Sequence, residues 1–126
     1  MSTTFGRVVP ILCIFDIGKA REFYVDYLGC TIDWEHRFEP KLPLYMQVSR
    51  GSLELHLSEH HGDGSPGVRV RIETMGIEDL AKELAARDYG YLRPCLERAP
   101  WGELELGLID PFGNRLSFYQ PVEAGA

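Results

Sequence analysis

The sequence predicts an α+β fold: two βαβββ modules whose curved mixed sheets surround a concave cleft. Three observations predict it. Short stretches alternate apolar and polar residues with period two, the mark of strands with unlike faces. Two longer stretches carry apolar residues at helical spacing, each just after a strand. The order of elements then restarts past the middle of the chain, after the turn-rich stretch His60-His61-Gly62-Asp63-Gly64-Ser65-Pro66-Gly67. The 126 residues suit one domain, 1–126, with module one at about 8–58 and module two at about 67–120.

In module one, Val8 to Phe15 is rich in β-branched residues and reads as the first strand. Asp16 is a candidate helix N-cap. Ala20, Phe23, Tyr24, Tyr27 and Leu28 then form a helical stripe that Gly29 terminates. Thr31 to Phe38 is a second strand, carrying Trp34, and Leu44 to Ser49 a third. After the Arg50-Gly51 turn, Leu53-Glu54-Leu55-His56-Leu57 alternates cleanly as a fourth.

In module two, Val68 to Ile72 is a strand and Gly76 to Asp88 a helix with Ile77, Leu80, Leu84 and Ala85 inward. Tyr91 to Glu97 is the next strand. Leu104, Leu106 and Leu108 alternate with Glu103, Glu105 and Gly107, giving a strand with Trp101 at its mouth between Pro100 and Gly102. Asp110-Pro111-Phe112-Gly113-Asn114 is a turn: Pro fixes φ, Gly accepts positive φ, and Asp and Asn bond their own backbone. A last strand runs to Tyr119.

The helices need apolar partners, so Leu53, Leu55, Val68, Val70, Leu104, Leu106, Leu116 and Phe118 should face them. The concave side then collects Glu54, His56, Arg69, Arg71, Glu103, Glu105, Arg115 and Ser117. Such charges are costly inside a protein unless paired or wet, which points to a solvated cavity; an open sheet face in plain solvent is the alternative.

A net charge of −6 argues against nucleic-acid and anionic-membrane partners and favours encounter with a cationic ligand. No apolar run is long enough to span a bilayer, and no basic-then-apolar signal segment stands at the N-terminus. Cys13, Cys30 and Cys95 lack zinc-site or redox-motif spacing and read as reduced thiols in a cytoplasmic protein. There is no Gly-x-Gly-x-x-Gly, Walker loop or Gly-x-Ser-x-Gly elbow. His56, His60 and His61 with Glu59 and Asp63 form a local cluster open to two readings, a solvated loop or a metal site. Taken on their own, Trp34 and Phe38 read as ordinary core aromatics, as most are.

Asp16 to Gly29, with its Phe23-Tyr24 and Leu28-Gly29 pattern, together with Asp110-Pro111-Phe112-Gly113-Asn114-Arg115, resembles the vicinal oxygen chelate superfamily, also called the glyoxalase / bleomycin resistance / dioxygenase superfamily. Pro100-Trp101-Gly102 and Val9-Pro10-Ile11-Leu12 are most similar to its bleomycin-resistance branch. The resemblance spans Val8 to about Pro121. It implies metal positions on the first, fourth, fifth and eighth strands. Here the matching residues are Val9, Glu54 or His56, Arg69 and Ser117. Too few of these are ligands for a tight site, which needs three or more N or O donors. The resemblance therefore implies a binding protein without catalytic residues or cofactor. It would hold a cationic, aromatic, bleomycin-type glycopeptide in a cleft at a homodimer interface, the first strand being exchanged between subunits in some members. Trp101 and Phe38 would stack on the ligand, with Trp34, Glu103, Glu105, Glu54, His56 and Ser117 as further binding residues. The other expectation is a metal-dependent lyase, isomerase or dioxygenase holding one divalent metal through His56 and Glu54.

Overall fold

A computed structural model of the chain describes residues 2–87, 89–90 and 92–122. Its elements run β1 (Ile11–Cys13), α1 (Ile17–Arg21), a π-helical continuation (Glu22–Tyr27), β2 (Thr31–His36), β3 (Tyr45–Arg50), β4 (Leu53–Ser58), β5 (Arg69–Glu73), α2 (Ile77–Ala86), β6 (Leu96–Ala99), β7 (Glu103–Ile109) and β8 (Arg115–Pro121). They form two four-stranded sheets, ordered β1-β4-β3-β2 and β5-β8-β7-β6. The second order is the first with each strand number raised by four, so the repeat expected from the sequence holds at the level of topology. Each sheet is mixed. Its first strand runs parallel to its fourth, and the remaining pairs are antiparallel.

One hydrophobic cluster spans both modules. Phe23, Tyr24, Tyr27 and Leu28 meet Leu55 and Leu57 of the first sheet and Leu106, Leu108, Leu116 and Phe118 of the second, with Ile77, Leu80 and Leu84 of α2. Leu53, Val68, Val70 and Leu104 pack against it, half-buried. The Asp16 side chain accepts the Lys19 N–H at 2.9 Å and caps α1. The helix then widens: the amide of Leu28 reaches the Phe23 carbonyl at 2.9 Å, five residues back. In α2 the first amide, that of Ile77, is satisfied by the Gln120 side chain of β8 at 2.9 Å.

Most other boundaries shift by only one or two residues, but four differ from the sequence expectation in ways that bear on the site or have a clear cause. Strand β1 covers only Ile11–Cys13, because its register with β4 runs from His56 to Ser58 and Pro10, lacking an N–H, offers only a carbonyl. Val8 and Phe15 are exposed outside it. Strand β2 stops at His36, whose partner Tyr45 is the first residue of β3, so Phe38 sits in the following turn rather than in the strand. Helix α2 ends at Ala86; the expected end, Asp88, lies outside the described residues. Strand β6 is Leu96–Ala99 rather than Tyr91 to Glu97, because β7 begins opposite Ala99; Tyr91 also lies outside the described residues.

Candidate functional site

Each sheet turns one face to the core and the other outward. On the first sheet the outward face is aromatic and hydrogen-bonded. Strand β2 carries a bulge between Ile32 and Trp34, which places Asp33 beside Trp34 instead of across the sheet from it. Asp33 accepts the Gln47 side-chain amide at 3.0 Å and the Ser49 hydroxyl at 2.9 Å. These two bonds, that from Gln47 foremost, hold its carboxyl below the usual range. With its NH2 committed to Asp33, Gln47 turns its carbonyl oxygen to Nε2 of His56 at 2.9 Å. The other ring nitrogen of His56, Nδ1, lies 2.6 Å from the Tyr45 hydroxyl. Burial, and then the Asp63 carboxylate, raise the Tyr45 phenol, so it keeps its proton. The Tyr45 ring in turn stacks on Trp34, centroids 5.9 Å apart and planes within 11°. His56 meets Trp34 edge-on at 5.2 Å. Phe38 stands at the margin of this face, edge-on to His36 at 4.7 Å, and is 73% exposed.

On the second sheet the outward face is charged. The turn Pro100-Trp101-Gly102 uses a positive φ of 91° at Gly102 and leaves the Trp101 indole 68% exposed. The indole N–H donates to Oε1 of Glu103, and Arg71 reaches the same oxygen at 2.5 Å. The Trp101 bond, with help from Arg71, lowers the Glu103 carboxyl. The Arg71 guanidinium also sits 3.9 Å from Glu105 and 4.1 Å above the centre of the Tyr119 ring. Ser117, 7% exposed, accepts the Nε–H of Arg69 at 2.9 Å.

The site residues expected from the sequence therefore fall into two groups. Trp34 and His56 meet on the first sheet. Trp101, Glu103 and Glu105 meet on the second through Arg71, and Ser117 lies on the same face. The hydrogen bonds, ion pairs and ring contacts of each group stay within its own module. Glu54 lies near the start of β4, an interior strand of the first sheet, and is paired with Arg7. The carboxylates are thus not a bare acidic wall: Glu103 and Glu54 are each in an ion pair with an arginine. Tyr45, Gln47 and Asp33 were not among the residues singled out from the sequence. The alternation of Tyr45, Gln47 and Ser49 against Met46 and Val48 carried the signal for the first two; the bulge hid the third.

A metal does not fit this donor set. Both ring nitrogens of His56 are engaged, Glu54 is paired with Arg7, and a cation, Arg69, stands at the fifth-strand position. Among the described residues, no group of three or more His, Cys, Asp or Glu side chains is arranged to hold an ion. His60 is half-buried, its backbone N–H bonded to the Ser58 hydroxyl at 3.1 Å, and His61 is exposed.

The family model described as "Glyoxalase superfamily protein" matches residues 1–125, which takes in both sheets and the Asp110–Asn114 turn. The chain belongs to the glyoxalase superfamily. Among its curated relatives is the bleomycin resistance protein of Geobacillus stearothermophilus, 27% identical, with 92% of this chain and 97% of the relative covered. The bleomycin-binding protein from the bleomycin producer Streptomyces verticillus, solved with copper(II)-bleomycin, superposes with a TM-score of 0.70 at 28% identity, covering 97% of this chain and all of that one. The bleomycin resistance determinant encoded on transposon Tn5 gives a TM-score of 0.72 at 22% identity, over 93% and 98% of the two chains, and shares the fold. No helix among the described residues of this superfamily member is long and apolar enough to cross a membrane.

Proposed function

We propose that the protein binds a bleomycin-type antibiotic and confers resistance by stoichiometric capture, without turnover and without a resident metal. The observation that carries this reading is the pair of uncovered aromatic platforms. Trp101 on the second sheet and Phe38 beside the stacked Trp34–Tyr45 pair on the first are exposed far beyond what a folded chain needs. The full-length similarity to bleomycin resistance proteins supports the same ligand class. Because the two platforms belong to different sheets, a homodimer that sets one subunit's first sheet against its partner's second is the arrangement we propose for the cleft. Planar rings of the ligand would insert between Phe38 of one subunit and Trp101 of the other. Stacking adds about 0.5–1.5 kcal/mol per aromatic pair beyond the area buried. The cationic end of the ligand would lie toward Glu105, the carboxylate least tightly held by Arg71.

Calorimetric titration with bleomycin, with and without copper(II), tests this, beside a metal assay of the purified protein and a mass measurement in solution. Saturable binding by a dimer, weakened roughly tenfold by Trp101→Ala, is the expected result. No heat of binding, or an unchanged affinity in Trp101→Ala, overturns it. Stoichiometric metal that His56→Ala loses would point to the metal-dependent enzymes instead.

A further inference from the structure

The outward face of the first sheet sets a phenol against a base. By register, Tyr45 and Gln47 of β3 and His56 of β4 share this face with Trp34 of β2. The Tyr45 hydroxyl lies 2.6 Å from Nδ1 of His56. Nε2 of the same ring meets the Gln47 carbonyl oxygen at 2.9 Å, so the ring proton sits there and Nδ1 turns its lone pair to the phenol. Asp33 accepts the Gln47 NH2 at 3.0 Å. Loss of one electron makes a phenol a far stronger acid, and a new charge in a half-buried place is costly. A base already within hydrogen-bond reach removes that cost by taking the proton. The charge then rests on His56, whose Nε2–H bond leads through Gln47 to the Asp33 carboxylate.

The electron has a route to the surface. Tyr45 is half-buried, but its ring stacks on Trp34, centroids 5.9 Å apart and planes within 11°. Trp34 is 42% exposed. Tryptophan and tyrosine are the aromatic side chains that one-electron oxidants attack, so Trp34 is an exposed entrance beside a proton-releasing phenol. Neither Tyr24, Trp101 nor Tyr119 offers the same arrangement. Tyr24 is sealed in the core, and the Asp110 carboxylate it meets already accepts two amides and the Asn114 side chain. The Trp101 indole donates to a Glu103 oxygen that Arg71 shares, which makes that carboxylate a weak base. Tyr119 lies under the Arg71 guanidinium, a cation that opposes loss of an electron.

We propose that Tyr45 and His56 form a proton-coupled redox pair, which donates one electron, by way of Trp34, to a one-electron oxidant at the aromatic face of the first sheet. In the step, the electron leaves Tyr45 for the oxidant and the hydroxyl proton moves to Nδ1 of His56. The products are a neutral tyrosyl radical, an imidazolium and the oxidant reduced by one electron. The pair does not depend on an antibiotic as guest, since any oxidant of this class that reaches Trp34 suffices.

The test uses the full-length protein and tris(bipyridine)ruthenium(III), generated by a light flash from the ruthenium(II) complex with persulfate as the terminal electron acceptor. Electron paramagnetic resonance of freeze-quenched samples should show a neutral tyrosyl radical. Tyr45→Phe should lose that signal and leave the oxidising equivalent on tryptophan, whereas Tyr24→Phe should keep it. In His56→Ala the radical should form more slowly, at a rate that rises with the concentration of buffer base, and added imidazole should restore the rate toward that of the parent protein. The parent also carries a test that needs no variant: radical formation should be slower in D2O than in H2O. An undiminished tyrosyl signal in Tyr45→Phe overturns the proposal. So do equal rates in the two solvents, or a His56→Ala rate that matches the parent and ignores imidazole.

Discussion

The Tyr24 hydroxyl donates a 2.6 Å hydrogen bond to Oδ2 of Asp110, joining the helical segment of module one to the last turn of module two. Oδ1 of the same carboxylate accepts the amides of Phe112 and Asn114 at 2.9 and 2.8 Å, and Oδ2 also accepts the Asn114 side-chain amide at 2.9 Å. From there, Asn114 reaches the Cys13 carbonyl at the end of β1 at 2.9 Å. The Tyr24, Asp110 and Asn114 side chains are all buried, so a lost partner is not replaced by water. Tyr24→Phe should lower the unfolding free energy by about 1.5–3 kcal/mol, the range for a bond to a charged group. Asp110→Ala should cost more, since it orphans several donors at once. Urea denaturation of the two variants checks both the loss and its order.

The second junction between modules is ionic. Arg50 donates to both oxygens of Glu83 at 2.8 and 2.9 Å, and Arg87 to Oε2 at 2.8 Å. The Arg50 bond is the chief reason that the Glu83 carboxyl is held below its ordinary value. A carboxylate lowered in the folded state contributes stability above its unfolded pKa and loses it as pH falls through the folded one. Stability should therefore hold from neutral pH to about 5 and decline below about 4.5. Glu83→Gln should flatten that acid limb and leave the neutral region less stable. Thermal melts at a series of pH values decide it: an acid limb as steep in the variant as in the parent protein would exclude Glu83 as a source.

The three cysteines differ in reactivity by position. Cys13 and Cys30 are buried and Cys95 is exposed. Burial raises the Cys30 thiol to about 11, against a lowering contribution from Arg50. The thiolate is the nucleophile, so an aromatic disulfide reagent should label Cys95 rapidly in the native protein and Cys13 and Cys30 only after unfolding. Since the Cys30 value is raised on folding, its contribution is present below the unfolded value and is lost as pH climbs from about 8.5 toward 11. Peptide mapping after timed labelling identifies the reactive thiol.

Local chemistry let the sequence predict most of the fold and less of the site. Asp16 as a cap, the leucine alternation of β4 and β7, and the Asp110 turn each depend on neighbours within a few residues. The outward faces depend on distant partners. Simple alternation puts Asp33 and Trp34 on opposite faces, yet the β2 bulge brings them to the same one. Nothing local to Glu103 announces that Arg71, 32 residues away, neutralises it. Phe38 reads as a strand residue until the start of β3 at Tyr45 leaves it without a partner.

The Asp33–Gln47–His56–Tyr45 chain fixes where the His56 proton resides. Asp33 is an ionised acceptor, so it takes the Gln47 NH2 and turns the Gln47 oxygen toward Nε2 of His56. Nε2 must then carry the proton, and Nδ1 accepts from the Tyr45 hydroxyl. Neutral His56 should accordingly be the Nε2–H tautomer, which the 15N shifts of the imidazole report directly. Asp33→Asn removes the charge that orients Gln47 and should mix the tautomers. Tyr45→Phe keeps the ring on Trp34 but withdraws the donor from Nδ1. It should leave the tautomer unchanged, because the Gln47 contact that sets it is intact. An Nδ1–H tautomer in the parent protein would mean that Gln47 presents its NH2 to the ring and that the chain runs in the opposite direction.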